Sequence, residues 1–169
     1  AVTDITEQKQ ATEALRKSQE MLAQTQQIAQ VGSWLFETSS NHLVWSDETY
    51  RIFGIKPQAF VVTYDTFVEA VHPDDRDAVA AAYSASLQSG QDVYEIEHRI
   101  IRKNSGEVRN VYEKFRHERD VSGVVIRSVG MVQDITELKS SEVALLAATQ
   151  ATEAANRTKG LFLAKVSHE

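Results

Sequence analysis

Two kinds of patterning divide the chain. Residues 1–31 and 131–159 contain neither Gly nor Pro and are rich in Ala, Gln, Glu, Lys and Leu, which predicts helices. In the first, Ala11, Leu15, Ser18, Leu22, Thr25 and Ala29 recur at alternating spacings of four and three, with Ala14, Met21 and Ile28 widening the stripe. That is the period of a coiled coil, weakened by Ser18 and Thr25; a helix packed on its own domain is the other reading. The last stretch keeps a stricter register: Leu138, Ser141, Leu145, Ala148, Thr152, Ala155, Lys159, Phe162 and Val166. Small and polar residues dilute this seam too, so the dimer it predicts is adjustable rather than locked. Gly160 costs the helix about 1 kcal/mol relative to Ala, marking either a soft joint or a tolerated surface glycine.

Between the helices the period changes. Gly32 to Glu37 alternates like a half-buried strand, with His42–Trp45 as its hairpin mate. Ser46 caps a short helix that Gly54 and Pro57 stop, and Thr63 to Val71 forms another with Phe67, Val68 and Val71 inward. His72-Pro73-Asp74-Asp75 opens a longer helix that ends at Gly90, Pro suiting the first position and the Asp pair the positive end of the dipole. Three strands follow, 93–101, 108–116 and 124–132, joined by turns at Asn104-Ser105-Gly106 and Asp120-Val121-Ser122-Gly123. The fold class is α+β: a five-stranded antiparallel sheet with short helices on one side, flanked by two long coiled-coil helices.

A repeat sets the boundaries. Asp4-Ile5-Thr6-Glu7-Gln8-Lys9 recurs as Asp134-Ile135-Thr136-Glu137-Leu138-Lys139, five identities in six positions. Each copy reads as a helix start with Asp as N-cap and Glu three residues on. The plan is a tail of a preceding domain over 1–6, a helical linker over 7–29, a compact domain over 30–136 and a signalling helix over 137–169. Opening and closing inside motifs, the chain reads as part of a larger protein.

Charge and composition remove several function classes. A net charge of −6 with no basic cluster argues against nucleic acid or anionic lipid. The absence of Cys removes disulfides, thiolate metal sites and Cys nucleophiles, and fits a cytoplasmic location. No apolar run approaches the roughly 18 residues of a membrane span, so any membrane anchor of the parent lies elsewhere.

The order of elements resembles a PAS domain. The stretches Gly32-Ser33-Trp34, Trp45-Ser46-Asp47-Glu48, Tyr50-Arg51-Ile52-Phe53-Gly54 and Val71-His72-Pro73-Asp74-Asp75-Arg76 are similar to bacterial PAS sensor modules. So are Glu97-His98-Arg99-Ile100 and the exit from Val129 to Thr136. Asn110 and Asn104-Ser105-Gly106 depart from the usual pattern. The resemblance implies a sensor of a small-molecule ligand, a cofactor or a neighbour's motion, with Phe53, Phe67, His98, Ile100 and Tyr112 as pocket candidates. His98 shares one strand face with Tyr94, Ile96 and Ile100; a hydrogen-bonded core histidine is its simpler reading. His72 reads as a cap, and His42 and His117, near loops, suggest nothing. Light sensors of this fold that form a flavin-cysteinyl adduct need a Cys, which this chain lacks. Haem-binding members ligate through a His of the long helix, and Ala78 to Gln88 has none. The cofactor is left open.

The terminal Phe162-Leu163-Ala164-Lys165-Val166-Ser167-His168-Glu169 resembles the H-box of sensor histidine kinases. The resemblance implies that His168 accepts a phosphoryl group, with Glu169 as base or orienter; neutral imidazole is nucleophilic near pH 7. Asp134, Ile135 and Thr136 are the expected relay, and the 34 residues from Asp134 to His168 span roughly 51 Å as helix. No ATP-binding lid or Gly-rich nucleotide loop is present, so the parent would be the kinase, a homodimer through both terminal helices that passes phosphate to a response regulator. Two alternatives stay open: a ligand-binding module driving a non-kinase output, and a ligand-free dimerisation spacer.

Overall fold

A computed structural model describes residues 1–168; Glu169 lies outside them. They fall into two compact units, Ala1–Asp134 and the segment from Ile135 onward.

The first unit opens with α1 (Val2–Ala29), which Gln30 ends in the left-handed conformation. Its predicted seam is exposed throughout, and it contains no buried residue. Near its end, Gln26 Nε2 donates to Ser33 Oγ at 3.1 Å. The expected Asp4 cap is not formed: the helix starts at Val2 and carries Asp4 inside its first turn.

Five antiparallel strands follow: β1 (Val31–Glu37), β2 (His42–Trp45), β3 (Tyr94–Ile101), β4 (Val108–Arg119) and β5 (Val125–Asp134), in spatial order β2-β1-β5-β4-β3. The second and third hairpin strands run three and two residues further than the alternation predicted. Between β2 and β3 come α2 (Asp47–Ile52), α3 (Tyr64–Ala70), a 3-10 turn (Pro73–Asp75) and α4 (Arg76–Gln88). The caps expected at Ser46 and His72 are formed, Ser46 Oγ accepting from the Thr49 N–H and His72 Nδ1 from the Asp74 N–H, and Thr63 and Thr66 add a capping box. The Asp74-Asp75 pair opens a 3-10 turn rather than α4 itself. Asp75 then clasps β3, accepting from Arg99 N, Nε and Nη2 at 2.8, 3.0 and 2.6 Å. These bonds hold its carboxyl down at about 2.

Register decides which side chains meet. One row across the sheet reads Trp45, Trp34, Gly130, Phe115, Tyr94, and the next reads Gly32, Val132, Glu113, Ile96. All of these face the helices, because alternate residues of a strand share a face. Gly130 is the gap that lets Trp34 and Phe115 lean together, with ring centroids 5.7 Å apart. A Cβ there would stand 2.6 Å from the Trp34 ring and 2.7 Å from the Phe115 Cβ. Gly32 leaves the same kind of space for Thr49, whose backbone N would lie 2.6 Å from a Cβ. The core packs Phe53, Val62, Ile100, Val111 and Val132 between this face and the helices.

The second unit is one helix, α5 (Thr136–Val166). Asp134 is not its N-cap. It ends β5 opposite Val111, and its carboxylate stands 3.7 Å from Arg109 Nη1, while Ile135 takes the cap position without a side-chain cap bond. Asp134 keeps strand geometry because it is the last rung of the β4–β5 ladder. The seam residues Leu138, Leu145, Phe162 and Val166 are all more than half exposed. Gly160 sits inside the helix with nothing near its absent side chain.

Candidate functional site

A cavity of about 340 Å³ lies between the inner face of the sheet and the helices. Aromatic rings from several elements line it, among them Trp34, Trp45, Phe53, Tyr64, Phe67 and Phe115. Each arrives there by the register just described or from the inward side of α2, α3 and α4. The site is apolar, with a few polar groups set into its wall, the usual make-up of a small-molecule pocket.

Of the five pocket candidates, Phe53 and Phe67 line the cavity. His98 and Ile100 point inward but are buried behind its wall, Ile100 with no exposed surface. Tyr112 faces away. It lies on the opposite face of β4 from Val111, Glu113 and Phe115, and its hydroxyl pairs with Glu95. A strand has a side-chain period of two, so one step of register puts Glu113 where Tyr112 had been expected.

Glu113 is the polar centre of the wall. Its Oε1 lies 3.1 Å from His98 Nε2, and the side chains are 7% and 1% exposed. Phe67 meets the His98 ring edge to face at 5.8 Å. Burial is the strongest influence on His98 and pushes its pKa down, yet the bond and charge of Glu113, with the Arg99 carbonyl, outweigh it and leave the value raised. His98 is thus a hydrogen-bonded core histidine that also orients a cavity carboxylate.

His117 is the residue that sequence reasoning missed. Its Nε2 lies 2.8 Å from Ser86 Oγ and its Nδ1 2.8 Å from Ser128 Oγ. The cavity residue Tyr83 reaches Ser128 Oγ through its hydroxyl at 3.0 Å. Burial, then Arg119, lowers the His117 pKa, so the ring is neutral near pH 7. The signal was its place in the alternation Val111, Glu113, Phe115, His117; the predicted end of the strand at 116 hid it. Trp34 adds one more polar group, a buried indole N–H without a hydrogen-bond partner among the described residues.

In the second unit His168 is exposed, two residues beyond the end of α5, and its N–H donates to the Lys165 carbonyl at 3.4 Å. The Glu169 assignment falls outside the described residues. Among the described residues no group of three His, Cys, Asp or Glu is placed to hold a metal, and no helix is long and apolar enough to cross a membrane.

Several known proteins are similar to this chain. The chain is 33% identical over 106 residues, 63% of its length, to a methyl sulfide methyltransferase-associated sensor of Methanosarcina acetivorans, covering 10% of that protein. It is 29% identical over 126 residues to a blue-light-activated histidine kinase of Brucella ovis, 75% of this chain and 24% of that one. The chain therefore spans about a tenth to a quarter of the curated relatives it matches. A solved sensory box histidine kinase/response regulator from Burkholderia thailandensis superposes with a TM-score of 0.62 at 27% identity, covering 76% of this chain and 95% of that one. The PAS fold family model matches residues 42–132, from the first residue of β2 into β5. With its five-stranded sheet, its helices over one face and its sequence match to that family over more than half of its length, the chain belongs to the PAS fold family.

Proposed function

We propose that this chain is the sensory and relay segment of a two-component histidine kinase, passing the state of its PAS cavity along α5 to a phosphoacceptor, His168. The observation that carries this reading is the path. Strand β5, which contributes Gly130 and Val132 beside the cavity wall, ends at Asp134, and one unbroken helix leads from Thr136 to the H-box-like octet. A helix of 31 residues is about 46 Å of rigid lever, so a small rotation at Asp134, Ile135 and Thr136 moves its far end. The histidine-kinase relatives support the output, and the exposed seams of α1 and α5 support a homodimer.

In this reading residues 1–6 close a preceding domain, 7–29 form the linker, 30–136 sense and 137–169 signal. The parent transfers the γ-phosphoryl of ATP to the His168 imidazole, releasing ADP, while Glu169 orients the ring and holds its proton. An Asp of a response regulator then takes the phosphoryl group. Replacing His168→Gln in the parent abolishes labelling by radiolabelled ATP, with the purified protein still dimeric. Label that persists, stable to alkali like a phosphohistidine, places the acceptor elsewhere and removes the assignment.

A further inference from the structure

The charge of the cavity wall has one sign. Its lining includes the carboxylate of Glu113 and neither Lys nor Arg; Glu95 borders it too, but its carboxylate lies on the outer face of the sheet with Tyr112 and Lys114. Glu95 is exposed and engaged by Lys114 Nζ at 2.7 Å. Glu113 is buried in the wall. A carboxylate offers about four acceptor positions, and the His98 ring takes one of them while fixing the group's direction.

The hydroxyls have the same bias. Thr49 donates to the Ser33 carbonyl at 2.9 Å and Tyr94 to the Ser89 carbonyl at 3.0 Å. The Tyr83 proton is accounted for by its network. Ser86 has one hydroxyl hydrogen and donates it to the Tyr83 carbonyl at 2.6 Å, so the neutral His117 must donate from Nε2 to Ser86 Oγ. Nδ1 is then an acceptor, filled by the Ser128 hydroxyl, and Tyr83 must donate to Ser128 Oγ. None of the three lining hydroxyls, of Thr49, Tyr94 and Tyr83, has a hydrogen left to donate to a ligand. The donors that remain on lining side chains, such as the Tyr64 hydroxyl and the Trp34 indole N–H, are neutral.

We propose that the cavity binds a small aromatic cation, an arylalkyl amine or amidine, with its N–H groups on Glu113 and its ring among Trp34, Phe115 and Tyr83. The proposal rests on reading the cavity as the input site of the module. A carboxylate removed from water attracts a cation far more strongly than at the surface, and aromatic faces add to the attraction. A neutral isostere loses the charge-assisted bonds, and an anion meets Glu113 with neither Lys nor Arg in the lining and only His98, behind the wall, to offset it.

The test is calorimetric titration of this chain with tryptamine, its neutral isostere tryptophol and the anion indole-3-acetate, repeated with phenethylamine and benzamidine. Tryptamine binds about tenfold or more tighter than tryptophol, and indole-3-acetate binds weakest. Glu113→Gln, shown folded by an unchanged circular dichroism spectrum, brings tryptamine to the level of tryptophol. The wild-type ranking stands even where the variant does not fold. Equal or reversed ranking, no binding of any cation to the folded chain, or a preference that survives Glu113→Gln overturns the proposal. Either result is independent of phosphotransfer: loss of the cation preference leaves the His168 labelling result standing, and persistent labelling of His168→Gln leaves the binding result standing.

Discussion

Glu113 Oε1 and His98 Nε2 meet at 3.1 Å across the β3–β4 pair, as diagonal neighbours with both side chains buried. Ile96 is directly opposite Glu113 and Val111 directly opposite His98, so the contact runs between adjacent rungs of one inward face.

Breaking the pair from one side strands a buried polar partner. Glu113→Leu or His98→Phe alone costs about 3 kcal/mol of unfolding free energy, while the two together cost well under the sum. Urea denaturation of the four members of the cycle reads this directly. Additive losses would show that the two groups do not depend on each other.

The two inward histidines titrate in opposite directions. His98 is raised above 6.5, so its contribution to stability is complete below that value and is lost as pH rises through its folded pKa. His117 is lowered from 6.5, so its contribution is present above that value and is lost as pH falls through its folded pKa. Imidazole proton resonances followed by NMR place the His98 midpoint above 6.5 and the His117 midpoint below it. The reverse order would contradict the Glu113 bond of His98 and the burial of His117.

Gly130 is required by close approach, since its φ is not among the positive values of the chain. Gly130→Ala forces Trp34 or Phe115 from its place and costs about 1–3 kcal/mol, as overpacking of a tight interior does. Tryptophan fluorescence shifts in the same variant, because Trp34 lines the cavity. An unchanged melting temperature and spectrum would mean that the rings move aside freely.

The α5 seam is open to cross-linking in a chain that has no Cys of its own. Leu145→Cys, at a residue 70% exposed on the predicted stripe, gives a covalent dimer under mild oxidation. Lys139→Cys, off the stripe, gives far less. Equal yields from both positions would deny that the seam is the dimer contact. In the parent kinase, the Leu145 cross-link should also abolish signal response.

Much of the fold was legible because its signals are local. Ser46 and His72 announce caps through hydrogen bonds that reach three and two residues, and the strands announce themselves by alternation. The site was legible in part. Phe53 and Phe67 were found because large aromatic side chains at inward positions have little else to do than pack. Tyr112 was misplaced because which of two neighbouring residues faces inward depends on register, and a single step exchanges every side chain. His117 was passed over because its partners, Ser86 and Ser128, lie 31 and 11 residues away.

The amino-acid sequence by itself determined the element order, the turn positions, the breaker-free helices at both ends and the H-box-like octet at His168. All of these depend on side-chain type and near-neighbour spacing. Only the tertiary structure decided that Gly130 stands between Trp34 and Phe115, that Glu113 faces the cavity with His98 behind it, and that Asp134 ends a strand instead of capping a helix. Those facts belong to the pairing of β1, β3, β4 and β5, where the energy of a contact depends on which residues the ladder brings opposite one another.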